Sequence, residues 1–266
     1  MKAIAMQDCW GWWSNPSADL IMAGDEVHIW QINLDQPDSM LQELTQVLSA
    51  HELARAKRFY FEQDRRRFIV GRSQLRSILG HYLGCEPDYI EFCYGPNGKP
   101  ALASQSNAHR NILHFNLSHS QGLALCALAW NWELGVDLEY IRPLSTVEQL
   151  ARRFFSPEEH AFIQALPPDE QPRAFFRLWT CKEAYLKAIG KGLPFLLKYV
   201  EVALSEGESA QLLGVPYDTQ AGAPWSLQAF APAPNYLAAL AVRGHEWRLS
   251  HQQWQAESVC PGTSTA

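Results

Sequence analysis

The chain has 266 residues, 47% of them hydrophobic and 12% aromatic, with 19% charged. This is the composition of a folded globular protein, long enough for one large domain or two small ones. A formal net charge of −6 leaves the molecule without a polyanion-binding field, so nucleic acid is not expected as a partner.

The opening MKAIAMQDCWGWWSNP has no continuous apolar core and no small-residue cleavage site, so it is not read as a secretory signal. HIWQINL, residues 28–34, alternates as a strand does, with Trp30, Ile32 and Leu34 on one face. Helices are expected over about 39–48 and 62–83. YIEFCYG reads as a strand ended by the turn GPNGKP. LHFNLSHSQGLALCALAWNWELGVDLEY predicts a hairpin turning near Ser120, Gln121 and Gly122. Its apolar run GLALCALAW falls far short of the roughly 20 residues a membrane helix needs, and no membrane partner is expected. Helices over 147–153, 157–165 and 171–189 come next, followed by strands at YVEVAL, WSLQAF and YLAALAV and a loose tail from Gln252.

Cys9, Cys85, Cys93, Cys126, Cys181 and Cys260 show no C-x-x-C pair and no regular spacing. They are read as free thiols of a reducing cytoplasm, not as disulfides or a zinc site. His114 and His119 have odd spacing on one strand, which puts them on opposite faces and argues against a shared metal.

One echo runs through the chain. RFYFEQD (58–64) resembles RFFSPEE (153–159), each precedes a long helix, and the helices close as R-S-I-L-G and L-K-A-I-G. Similar order in both halves suggests duplication of one α+β unit, with a site between the halves.

Four segments could carry chemistry. In GVDLEY, Asp137 and Glu139 are two apart on a strand and share a face, where they repel unless a cation lies between them. In FFRLWTCKEAYLKAIGKGL, Glu183 and Lys187 are four apart on a helix, with Trp179 one turn before. An exposed ion pair would be the plain reading of that spacing, but the tryptophan puts the pair against something. Glu183 is therefore a candidate third carboxylate beside Asp137 and Glu139. Three such oxygens, with room for water and a phosphate, suit Mg²⁺.

From Arg55 to Arg76 the chain has eight Lys and Arg against two acids. In an acidic protein this suits a small, multiply charged anion, which arginine grips bidentately. GPNGKP is not a Walker A loop, because two residues, not four, separate its glycines, and Pro100 follows the lysine. FNLSHS has a Ser-His pair without the G-x-S-x-G elbow of a hydrolase.

In order, the Arg-rich helix, GPNGKP, FNLSHS, GVDLEY and W-x-x-K-E-A-x-x-K resemble the Sfp-type 4′-phosphopantetheinyl transferases, in the W/KEA subtype. The resemblance covers about residues 54–192. It implies transfer of phosphopantetheine from coenzyme A to a serine of an apo acyl or peptidyl carrier protein. It also implies Asp137, Glu139 and Glu183 as Mg²⁺ ligands, with Glu183 and Lys187 catalytic. Arg55, Asn97, Gly98, Lys99, Ser118, His119 and Lys182 would contact coenzyme A. The implied fold is α+β, two similar halves related by pseudo-twofold symmetry with the active site at their interface. The expected halves are 1–134 and 135–250, with a tail over 251–266, in a cytoplasmic monomer. The segment 141–155, with Arg142, Arg152 and Arg153, is expected to dock an acidic carrier. A Mg²⁺-dependent phosphodiesterase or nuclease would instead show E-x-K spacing and a wide basic surface. A non-catalytic coenzyme A or carrier-binding module would have lost one of the four site residues; all four are present.

Overall fold

The computed structural model describes residues 20–103, 111–191, 194–204, 209–214 and 224–253. Cys9, Cys260 and the tail beyond Gln253 lie outside the described residues. The chain first forms β1 (Glu26–Asn33), α1 (Asp38–Gln46), α2 (Ala50–Ala56) and α3 (Glu62–Leu83). Then come β2 (Phe92–Tyr94), β3 (Pro100–Leu102), β4 (Leu113–Ser120) and β5 (Leu123–Trp130). The same order then repeats: β6 (Leu134–Tyr140), α4 (Val147–Phe154), α5 (Pro157–Gln164) and α6 (Gln171–Ala188). β7 (Glu201–Leu204), β8 (Ser209–Gly214), β9 (Trp225–Phe230) and β10 (Tyr236–Arg243) complete the second run. A last strand, β11 (Arg248–Gln253), returns to the first sheet, parallel to β1.

Each run builds a lobe of mixed α/β structure. The first sheet is ordered β11-β1-β5-β4 and the second β6-β10-β9-β8-β7, while β2 and β3 form a separate hairpin. Strand parity divides the side chains among the layers. From β1 and β5, Trp30, Ile32, Ala124, Cys126 and Leu128 pack with Val70, Leu75, Ile78 and Leu79 of α3. Their alternates, Val27, Ile29, Leu125 and Ala127, meet Val136, Leu138, Ala238 and Leu240 of the second sheet. The far face of that sheet, Leu237, Ala239 and Ala241, packs against Leu178, Cys181, Ala184 and Tyr185 of α6. The result is four layers: helix, sheet, sheet, helix. The near-continuous apolar runs of β5 and β10 follow from burial on both faces.

The long helices fall where the sequence places them, but α3 runs through Gly80 to Leu83. Between Leu48 and the RFYFEQD echo the sequence reading left out α2, whose start is a capping box: Ser49 and Glu52 bond each other's backbone N–H. β8 and β11 were also left out, and residues 251–253, expected in the loose tail, are the end of β11.

The two runs share more than the RFYFEQD echo, whose second copy starts α5 and not the long helix. α5 opens with a second capping box, Ser156 and Glu159. In each lobe the box glutamate is buried and also takes a cation from the long helix. Glu52 accepts from Arg76 Nε at 2.8 Å, and Glu159 accepts from Lys182 Nζ. Lys182 also donates to Leu197 O at 3.0 Å and sits over the Phe155 ring. It is fully buried there and anchors α6 to α5, whereas the resemblance implied a coenzyme A contact for it. Glu159 remains bound to the backbone N–H groups of Ser156 and Val202, so removing the lysine leaves a buried carboxylate uncompensated. Lys182→Met is expected to cost about 3–5 kcal/mol in urea unfolding. Coenzyme A affinity of the folded protein, read by calorimetry, should be unchanged.

Candidate active site

β4 and β6 are edge strands of their own sheets, and their edges meet. β6 presents backbone N–H groups along that edge, which must find acceptors once buried. The acceptors are side chains. Asn116, Ser118 and Ser120 alternate along β4, so all three project toward β6. Val136 N–H donates to Asn116 Oδ1 at 2.9 Å, Leu138 N–H to Ser118 Oγ at 3.2 Å, and Tyr140 N–H to Ser120 Oγ at 3.0 Å.

The two hydroxyls also point their protons at the carboxylates of β6. Ser118 donates to Asp137 Oδ1 at 3.0 Å and Ser120 to Glu139 Oε2 at 3.2 Å. From the other side, Lys187 Nζ of α6 donates to Ser118 Oγ at 2.7 Å and to Asp137 Oδ1 at 2.5 Å. Ser118 thus gives its one proton and fills both lone pairs. It is buried in this seam, where its hydroxyl is engaged by protein groups; the resemblance implied a coenzyme A contact for it.

Gly135 explains how α6 comes so near. It lies two residues before Asp137 on the same face of β6, and a Cβ there would collide with the backbone of Ala184 and Ala188. Trp179 fixes the helix from its other flank, stacked on Phe175 and edge-on to Phe154 of α4. Glu183 and Lys187 then face β6. Lys187 pairs with Asp137, so the exposed intrahelical ion pair that the spacing alone would suggest is not what holds it.

The carboxylates sense each other. Burial, then the Asp137 charge, pushes Glu183 up to about 7, and the same two causes in the same order raise Glu139. Asp137 Oδ2 is buried without a hydrogen-bond partner. Among the described residues no three such side chains are drawn together tightly enough to hold a metal as they stand. The donor set nevertheless suits a hard dication: three carboxylates, one orphaned oxygen and a single lysine against them.

Beside the seam lies a cleft of about 530 Å³, lined by Arg55, Arg67, Arg72, Tyr94, Gly98 and His119 among others. Arg55, Gly98 and His119 are therefore brought together as expected. The basic run divides between tasks. Arg76 is locked to Glu52 and to the carbonyls of Pro87 and Ile90, Arg65 pairs with Glu62, and Arg66 pairs with Asp38. Arg67 faces the cleft but is forked onto Asp35. Arg72 was not singled out in the sequence; it is buried over the Phe92 ring, and its Nη1 has no partner. Asn97 and Lys99 reach across to lobe 2: Asn97 donates to Gly190 O at 2.8 Å, and Lys99 to Ala188 O at 2.8 Å and Leu134 O at 3.2 Å. Burial pushes the Lys99 ammonium down to about 8.

The sequence matches the 4′-phosphopantetheinyl transferase superfamily over residues 133–241, and 4′-phosphopantetheinyl transferase, N-terminal, over 35–131. The 4′-phosphopantetheinyl transferase HetI of a Nostoc strain is 49% identical over 236 residues, 89% of this chain and 95% of that protein. The chain belongs to the 4′-phosphopantetheinyl transferase superfamily. Sfp of Bacillus subtilis, another transferase of this kind, is 31% identical over 67% of this chain and 77% of its own length. AcpT of Escherichia coli K12 is 40% identical over 47% of this chain and 58% of its own length.

Within this superfamily member, Asn116, Ser120 and Gly135 are the site residues that the sequence reading missed. A visible signal existed for the first two: small polar residues at period two in FNLSHS, a strand whose other face is apolar. Ser118→Ala would remove the hydroxyl shared by Lys187 and Asp137 and leave the buried Leu138 N–H unsatisfied. Thermal or urea unfolding should show a loss of about 1–3 kcal/mol, whereas Ser118→Thr should retain most of the stability.

Proposed function

We propose that Asp137, Glu139 and Glu183 hold Mg²⁺ at the β4–β6 seam, that the Arg55 cleft holds the nucleotide of coenzyme A, and that the enzyme is of the W/KEA subtype. The observation carrying this reading is the contact of Lys187 with Asp137, which joins the carboxylate strand of one motif to the helix of the other. The enzyme transfers 4′-phosphopantetheine from coenzyme A to a serine hydroxyl of an apo carrier protein. The serine oxygen forms a bond to the β-phosphorus, the bond from that phosphorus to the bridging oxygen breaks, and adenosine 3′,5′-bisphosphate leaves.

Bound Mg²⁺ would supply charge neutralisation at the pyrophosphate. The chain's own groups do the rest. Lys187, held by Ser118 and Asp137, presents a fixed positive charge toward the same phosphates. Glu183 is half-buried, and no protein group among the described residues occupies its carboxylate, so it is placed to take the serine proton. Without a bound cation, burial and the Asp137 charge push its carboxyl up to about 7, and with Mg²⁺ on the same carboxylates it would come down into its charged, proton-accepting form. Arg55, Arg72 and His119 line the wall that would receive the 3′-phosphate and adenine.

The finer architecture follows the same reading. The repeated element order and the matching orders β1-β5-β4 and β6-β10-β9 support two halves, 1–134 and 135–250, related by a pseudo-twofold axis. β11 belongs spatially with the first half. Both halves contribute to the site from one chain, so a monomer suffices. Arg152 and Arg153 are exposed on α4 and would meet an acidic carrier near the seam. The four described cysteines are free, which suits a reducing cytoplasm, and no helix among the described residues is long and apolar enough to cross a membrane.

Glu183→Gln keeps shape while removing the charge and the proton acceptor. With coenzyme A, Mg²⁺ and a panel of apo-carriers, kcat should fall by roughly 10²–10⁴, read by weighing the carriers intact. A folded variant turning over at nearly the wild-type rate would take Glu183 out of the chemistry.

A further inference from the structure

The turn between β2 and β3 belongs to lobe 1 in the chain but ends its hydrogen bonds in lobe 2. Its own frame is closed by Gly95 N–H to Lys99 O at 2.9 Å and Gly98 N–H to Gly95 O at 2.9 Å. That leaves the Asn97 and Lys99 side chains free to project, and both go to the carboxy end of α6.

The last carbonyls of a helix lack intrahelical donors and carry the negative end of its dipole. In α6, Tyr185 O accepts from Ile189 N–H, Leu186 O from Lys191 N–H, and Lys187 O from Gly190 N–H. Gly190 has a φ of +69°, which lets the chain fold back to make the last two of these bonds. Two further carbonyls of this end, Ala188 O and Gly190 O, accept from Lys99 and Asn97, each at 2.8 Å. The helix end is thus capped in part by side chains that arrive from about ninety residues earlier in the chain.

Lys99 does more than cap. Its second bond goes to Leu134 O, at the start of β6. One ammonium therefore bridges the strand that carries Asp137 and the helix that carries Lys187, one residue from Lys187 and three from Asp137. On its other side the same turn faces the nucleotide cleft, whose wall includes Tyr94, Gly98 and Pro100.

We propose that the Gly95–Pro100 turn is a clamp through which occupancy of the cleft sets the position of α6. Asn97 and Lys99 are positioning residues that act through the carboxy end of the helix, not direct ligands of coenzyme A. The inference rests on the transferase reading for its catalytic consequence, but the clamp itself can be tested without turnover.

The variants are Asn97→Ala, at an exposed position that leaves the core untouched, Lys99→Met, which keeps the aliphatic stem, and Lys99→Arg, which keeps a cationic donor. Without ligand, hydrogen–deuterium exchange at amides 186–191 should be at least several-fold faster in Asn97→Ala and Lys99→Met than in the wild type. Lys99→Arg should restore most of the protection. Adding coenzyme A should slow exchange at these amides in the wild type and do so weakly in the two disrupted variants. In transfer assays kcat should fall about tenfold or more, while the coenzyme A Kd by calorimetry changes less than about threefold. Unchanged ligand-free exchange at 186–191 in both variants overturns the clamp, whatever the transfer assay shows. A Kd raised tenfold or more with kcat preserved also overturns it, because that is the signature of a direct ligand. Failure of the wild type to modify any carrier, with exchange behaving as described, would instead remove the transferase reading and leave the clamp standing.

Discussion

Everything at the site depends on one unsatisfied edge. β6 ends its sheet, and its outward N–H groups are buried against β4 without a strand to pair with. The first sheet solves the equivalent problem on β1 with a real strand, β11. On β6 the solution is a row of side chains, Asn116, Ser118 and Ser120. A strand would have consumed that edge with backbone alone. Hydroxyls accept from the backbone and still have a proton to give, and they give it to Asp137 and Glu139. The edge that holds the lobes together is thereby also the scaffold that aims two buried carboxylates.

The comparison between lobes makes the specialisation plain. β1 presents His28 and Trp30 to α3, and both ring nitrogens meet the Tyr82 hydroxyl, at 2.6 and 3.0 Å. β6 presents Gly135 and Asp137 to α6, where the glycine admits the helix and the aspartate meets Lys187. The layout is shared, strand under long helix, with each helix anchored by a cation on a capping-box glutamate. In lobe 1 the strand–helix contact is filled with aromatic rings, which pack and fix. In lobe 2 it is stripped to a glycine and acids, which leaves charge in need of a partner. The anchors at Glu52 and Glu159 already tie each long helix to its neighbour, so the contact over Asp137 can serve chemistry.

Much of this was legible in the sequence. Strand parity put Asp137 and Glu139 on one face, and the helical spacing of Glu183 and Lys187 put that pair toward one neighbour, while Trp179, read with them, packs on Phe175 and Phe154 instead. The apolar runs announced strands buried on both faces. What stayed hidden was long-range. Nothing local in Lys182 distinguishes a buried anchor from a ligand; its partner Glu159 is 23 residues away. GPNGKP alone reads as a turn and only the family resemblance gave Lys99 a coenzyme A contact; the arrival of the α6 carboxy terminus is what shows that its ammonium bonds Ala188 O and Leu134 O. Ser118 was seen as a ligand contact because its hydrogen-bonding capacity could not be counted before β6 was laid alongside it. β11 was missed because RLSHQQ is polar, and its pairing with β1 is a contact between the two ends of the fold.

On the reading proposed above, the β6 edge, the α6 pair and the cleft form one site for a metal-bound pyrophosphate. Co-crystallisation with coenzyme A and Mn²⁺, with diffraction recorded at the manganese absorption edge, tests this directly. One anomalous peak is expected, ligated by Asp137, Glu139 and Glu183 and by pyrophosphate oxygens, with the nucleotide lying along Arg55, Arg72 and His119. A manganese peak away from these carboxylates, or a coenzyme A nucleotide seated outside that cleft, would contradict it.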